Sequence, residues 1–201
     1  MEPYDSLDWH LPYLTEALPG IGGQIRTVPE DFIVAEVPVY EPCGEGEHTF
    51  FRVEKRSITT PALVRQVAQA LGISPRDVGS AGRKDKYAVA RQTLSVWNVP
   101  PNRLMALELE NARVLWAKRH TNKLRIGHLL GNRFTLRIRD VHPETETRAG
   151  AILEVLTRRG VPNGYGRQRF GNRGDNDKIG LALVRKDWDV LDWRGIHNPS
   201  Y

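Results

Sequence analysis

The stretch "RFTLRIRDV", residues 133 to 141, alternates apolar and polar side chains with a period of two. Successive side chains on a strand face opposite ways, so Phe134, Leu136 and Ile138 share one side while Arg133, Thr135, Arg137 and Arg139 share the other. A strand of this kind needs a layer over its apolar side, and it turns an arginine row toward solvent or a ligand. "DFIVAEVPV", "HTFFRVEK", "TLSVWNV" and "RVLWAKR" also read as strands, and "QIRTV" as another ahead of the Pro29 turn. Thr60 followed by Pro61 starts a helix in which Leu63, Val64, Val67 and Leu71 recur at helical spacing, and Gly72 ends it. Ser74, with Pro75 and Asp77, opens one more helical turn. Residues 145 to 159 form a second helix, with Ile152, Leu153 and Leu156 inward and Arg158 and Arg159 near its negative end. This alternation predicts an α+β fold: a mixed, largely antiparallel sheet with helices packed on one face.

A chain of 201 residues can bury a sizeable core as one main domain. No apolar run is long enough to cross a bilayer, so no membrane partner is expected. The acidic start "MEPYDSLDWH" lacks the basic and apolar segments of a secretory signal. A single cysteine, Cys43, excludes an internal disulfide framework and fits the reducing cytoplasm.

Charge is distributed unevenly. The net +5 combines a first fifty residues holding ten acids and one cation, Arg26, with a remainder holding 28 Lys and Arg against 14 acids. Seven cations and no acid lie between Lys118 and Arg139, and Arg158 to Arg173 is a second acid-free basic run. Clusters like these suit a polyanion, because phosphates neutralised by cations release condensed counterions.

The motifs exclude several chemistries. Six scattered histidines and one cysteine make no metal-ligand constellation. "GSAGRKDK" lacks the spacing of a phosphate-cradling loop, "GYGRQRFG" fails the dinucleotide fingerprint, and no serine sits in a nucleophile elbow. A carboxylate acting without a cofactor remains. In "SAGRKDKYAVARQ", residues 80 to 92, Asp85 lies between Lys84 and Lys86, and such cations favour its ionised, nucleophilic form. Arg26, in a strand, is a candidate bidentate partner for that acid.

This stretch resembles the signature of TruD-type tRNA pseudouridine synthases. Four further motifs of that family follow the same order: "VPEDFIVAEVP" (28 to 38), "EPCGEGEHTFFRVEK" (41 to 55), "LRIGHLLGNRFTLRIRDV" (124 to 141) and "GVPNGYGRQRFGNRGDN" (160 to 176). The resemblance implies a pseudouridine synthase-like catalytic domain that isomerises a uridine in tRNA, the thirteenth position in bacterial members, with neither cofactor nor metal. It places Asp85 as the catalytic aspartate, acting either by addition to the pyrimidine ring or by promoting elimination at the ribose. Arg26 falls where a basic residue stands against that carboxylate. Phe32 matches an aromatic of the uridine pocket, and Asn132 and Phe134 match residues that hold and stack on the base. Arg83, Lys84, Lys86, Arg167 and Arg169 are the expected RNA-facing cations of the neighbouring basic loops. Gln168 and Phe170 either join them in substrate binding or brace the catalytic loop from beneath.

Three departures accompany the resemblance. Family members run on through an inserted domain and then return with final strands, whereas this chain ends at Tyr201. Ala90 stands where a threonine is usual, and Gly164-Tyr165 replaces a Tyr-Phe pair. The expected division is a catalytic domain over 1–172 and the start of an inserted domain or tail over 173–201. The chain is then a fragment, a natural short form, or one half completed by a second polypeptide. An RNA-binding protein of the same ancestry without turnover is the rival reading, and a metal-dependent nuclease a third, opposed by the absence of acids clustered in sequence around Asp85.

Overall fold

The structure is a computed structural model that describes residues 13–164 and 175–189. Residues 19–149 form one compact unit, and the described residues 13–18, 150–164 and 175–189 belong to another. The boundary expected at 172 falls on residues outside those described.

The larger unit is built on a six-stranded sheet. Its strands are β2 (Phe32–Pro38), β3 (His48–Arg56), β4 (Gly79–Ser80), β5 (Val89–Trp97), β6 (Ala112–His120) and β7 (Leu129–Leu136), in the order β6-β3-β5-β2-β7, with β4 also pairing to β5. β2 and β5 run parallel and the other pairings are antiparallel, so the fold is α+β with a mixed, mostly antiparallel sheet. β1 (Gly22–Ile25) pairs with β8 (Ile138–Val141) in a separate two-stranded ribbon.

α1 (Thr60–Leu71) forms where the sequence provides both ends. Thr59 Oγ1 accepts the Ala62 N–H as N-cap, Pro61 occupies the first turn, and Gly72 closes the helix at φ +71°, a left-handed conformation that suits glycine. The buried face of α1 packs on β3 and β5. Leu63, Val67, Ala68 and Leu71 meet Phe51, Val53, Leu94 and Val96, and Leu104 of α2 (Pro101–Met105) closes the cluster. Burying an aliphatic or aromatic side chain of this kind contributes about 1.5–3 kcal/mol, so this layer is the main source of stability in the unit.

"RFTLRIRDV" is not one strand. It breaks at Arg137, whose backbone N–H donates to the Asp31 carbonyl, and its two halves enter different sheets as β7 and β8. Phe134, Leu136 and Ile138 are exposed rather than covered, since β7 is an outer strand of the six-stranded sheet and β8 belongs to the ribbon. The arginine row is also interrupted. Arg139 forms a bidentate bridge to Asp31, with Nε to Oδ2 at 2.7 Å and Nη2 to Oδ1 at 2.8 Å.

α3 (Thr145–Arg159) confirms the second expected helix, but Leu153 is exposed while Ile152 and Leu156 are half-buried. α4 (Asn176–Arg185), a further helix, lies in the second unit. Among the described residues no helix is long and apolar enough to cross a membrane.

Candidate active site

Asp85 lies in the loop between β4 and β5, exposed at its side chain and tethered through its neighbours. Three polar residues rise from adjacent strands on the sheet face that also carries Phe32, Val34, Phe51 and Val53. Glu36 of β2 binds Lys84 Nζ at 2.8 Å. Gln92 of β5 accepts the Thr60 hydroxyl at 2.9 Å, and that hydroxyl in turn accepts the Lys84 N–H at 2.9 Å. Lys55 of β3 donates to the carbonyls of Asp85 and Ile58, each at 2.6 Å. Burial pushes the Lys55 ammonium down to about 8, the Asp85 carboxylate opposing that shift and Lys84 reinforcing it.

The expected base-holding residues share this face. Phe32 and Phe134 stack with ring centroids 5.8 Å apart and planes 4° from parallel. They sit diagonally across the β2–β7 pairing, where long side chains reach one another. Asn132 lies two residues before Phe134, on the same side, and pairs in register with Glu36, the residue that holds Lys84. The loop residue next to Asp85 and the amide of Asn132 are thus anchored on one rung of the sheet.

Arg26 does not lie within a strand. It follows β1 with φ +57°, and its guanidinium carbon stands 4.1 Å from the centre of the Phe32 ring, a cation–π contact in place of the expected ion pair with Asp85. Lys84 also departs from expectation. It is buried, and its ammonium is held by the buried Glu36 carboxylate of β2 rather than turned to solvent. Arg83 and Lys86 are exposed, and Lys86 Nζ lies 5.2 Å above the Tyr87 ring. Arg167, Gln168, Arg169 and Phe170 lie outside the described residues. Among the described residues no group of three His, Cys, Asp or Glu could hold a metal ion.

A family model described as tRNA pseudouridine synthase D (TruD) matches residues 9–199. The chain belongs to the TruD family. It is 52% identical over 176 residues to a tRNA pseudouridine synthase D of Geobacter metallireducens, a match covering 88% of this chain and 44% of the relative. A Syntrophotalea carbinolica protein of the same name is 49% identical over 188 residues, covering 94% and 47%. A solved structure bearing the TruD name, from Methanosarcina mazei, superposes with a TM-score of 0.76 at 31% identity, covering 88% of this chain and 41% of that one. The chain thus spans less than half the length of these TruD relatives.

The supporting residues Glu36, Lys55, Thr60 and Gln92 were missed by motif reading, although a signal for two of them was present. In "DFIVAEVPV" Glu36 keeps the period-two phase of Phe32 and Val34, and in "HTFFRVEK" Lys55 keeps that of Phe51 and Val53. A polar residue in phase with a buried apolar set must find an interior partner. Asp31 was missed too. It is fully buried, and the Arg139 bridge holds its carboxyl below the usual range against the opposing effect of burial, fixing the turn from which Phe32 enters β2.

Proposed function

We propose that this chain engages a uridine of tRNA, by family resemblance the one at the thirteenth position, and converts it to pseudouridine with Asp85 as the reactive group. One observation carries this reading: an exposed carboxylate on a loop tethered from below, anchored on the same sheet rung as Asn132 and close along β2 and β7 to the Phe32–Phe134 stack. The reaction is an isomerisation. The bond from the sugar C1′ to N1 breaks, a bond from C1′ to C5 forms, the C5 proton leaves and a proton ends on N1. Asp85 serves this either by adding to the pyrimidine ring or by promoting elimination at the ribose, and both routes require an ionised acid beside an extruded nucleotide. Extrusion costs a few kcal/mol of lost stacking and pairing. Phe134, half exposed, replaces part of that stacking, Asn132 offers an amide to a base edge, and phosphate contacts from exposed cations such as Arg83, Lys86 and Arg133 offset the rest. The same reading keeps 1–172 as the catalytic part and the cytoplasm as its place of work, and it assigns no role to a cofactor.

The test is to incubate the chain with unmodified tRNA beside a full-length relative and to map pseudouridine. Product from the wild type and none from Asp85→Asn is expected; equal product from both removes Asp85 from its role. A second reading is an RNA-binding protein without turnover, which draws on the exposed cations Arg83, Lys86 and Arg133 alone. Steeply salt-dependent tRNA binding with no product at any enzyme concentration would favour it.

A further inference from the structure

Among the described residues no carboxylate side chain bonds the Lys55 ammonium; its two bonds, to the Asp85 and Ile58 carbonyls, go to main chain. Its side chain is fully buried on the face shared with Phe51 and Val53. An apolar side chain of equal length would fill that space without taking a charge out of water. What it would lack is a donor for the Asp85 carbonyl.

Lys84 is pulled inward by Glu36, while its N–H is fixed by Thr60. The next carbonyl, that of Asp85, is fixed by Lys55. The Asp85 Cα lies between these restraints, with the backbone bound to α1 on one side and to β3 on the other, and its side chain faces solvent. We propose that Lys55 is a positioning residue for the reaction, which sets the reach of the Asp85 carboxylate by binding the Asp85 carbonyl, with Thr60 and the Glu36–Lys84 pair holding the preceding residue. The inference rests on the reading of Asp85 as the reactive group. Lys55 itself, closed to solvent beneath the loop, touches no substrate.

The experiment uses the full chain and two variants, Lys55→Met, which keeps the length and loses the donor, and Thr60→Val, which keeps the shape and loses the hydroxyl. In both, the single-turnover rate at saturating unmodified tRNA falls about 10- to 100-fold, the scale of a small misplacement of reacting groups. The tRNA Kd stays within about threefold, because neither residue meets RNA and phosphate contacts dominate that affinity. Amide hydrogen exchange at residues 84 to 88 quickens while the amides of β3 and β5 keep their protection. Unchanged rate and unchanged loop exchange would overturn the proposal, as would a rate loss matched by an equal loss of affinity. If Asp85→Asn keeps full activity, the reading of Asp85 fails, and the proposal built on it falls. If the wild type yields no product, the loop exchange decides the tether on its own: quickening in both variants upholds it and protection in both refutes it. Should Lys55→Met not fold, Thr60→Val carries the same comparison.

Discussion

Lys84 Nζ lies 2.8 Å from Glu36 Oε2, in an ion pair closed to solvent one residue before Asp85. The Thr93 N–H donates to the other carboxylate oxygen, Oε1, at 3.2 Å, so the acid is braced both from β5 and from the Asp85 loop. Removing one partner of such a pair strands the other charge in the interior. Lys84→Met is expected to lower stability by about 3–5 kcal/mol in urea unfolding, and Lys84→Met with Glu36→Leu to recover most of it. A single substitution as mild as the double would show that the pair is not what holds the loop.

Phe134 stacks on Phe32 yet stays half exposed, so its role in folding and its role in binding can be separated. Phe134→Ala should weaken the binding of a uridine-containing RNA by about 1–3 kcal/mol, the range for loss of one base–aromatic stack. Thermal unfolding should move little, because β7 keeps its ladder to β2. Fluorescence anisotropy and a melting curve on the same preparation measure both; a large fall in melting temperature with unchanged affinity would contradict the assignment.

Asp31 links the turn before β2 to the break between β7 and β8, and Arg139 holds its carboxyl ionised below the usual range. A depressed carboxyl contributes stability that is complete above its unfolded value and fades as pH falls through the folded one. Arg139→Met is therefore expected to melt lower than the wild type at pH 7, with the gap closing as the pH is taken below the ordinary aspartate value near 3.8. A gap that stays constant down to acid pH would refute the linkage.

Lys55 makes the opposite kind of prediction at the alkaline end. Its ammonium is pushed from 10.5 to about 8 by burial, so between those values the unfolded chain holds more protons than the folded one. Stability then rises with pH across that window, by up to about 1.4 kcal/mol per pH unit from this group alone. Subtracting the Lys55→Met profile from that of the wild type isolates it, and a difference that stays flat from pH 8 to 10.5 would show that Lys55 does not titrate early.

Gly79 packs so closely on β5 that a Cβ there would meet the Leu124 carbonyl oxygen and Ser95 Oγ. One of these is backbone, and the Leu124 N–H is already bonded to Ser95 Oγ at 2.9 Å. Gly79→Ala should cost about 1–3 kcal/mol, the range for overpacking, and loosen β4 ahead of the Asp85 loop. Wild-type stability in that variant would mean that the 124 segment moves aside freely.

Much of the fold was legible because local signals are short-range. The cap and glycine stop of α1, the strand runs at β3, β5 and β6, and the mixed α+β character follow from periodicity and turn chemistry over a few residues. The order of motifs around "SAGRKDKYAVARQ" identified the family, since five short matches in sequence are specific where one is not. Other features were decided by partners far along the chain. Asp31 and Arg139, separated by 108 positions, break an apparently continuous strand in two. Glu36 draws Lys84 inward from what looked like a solvent-facing basic loop, and Phe32 takes Arg26 as a stacking partner. By itself the sequence determined the main strand runs, the helices α1 and α3, and which acid is the chemical candidate, since those depend on side-chain pattern and residue type. Only the tertiary structure decided which charges are buried and what holds Asp85 in place. A charge is buried or exposed according to the strand that lies across from it, and that neighbour is chosen by the sheet as a whole.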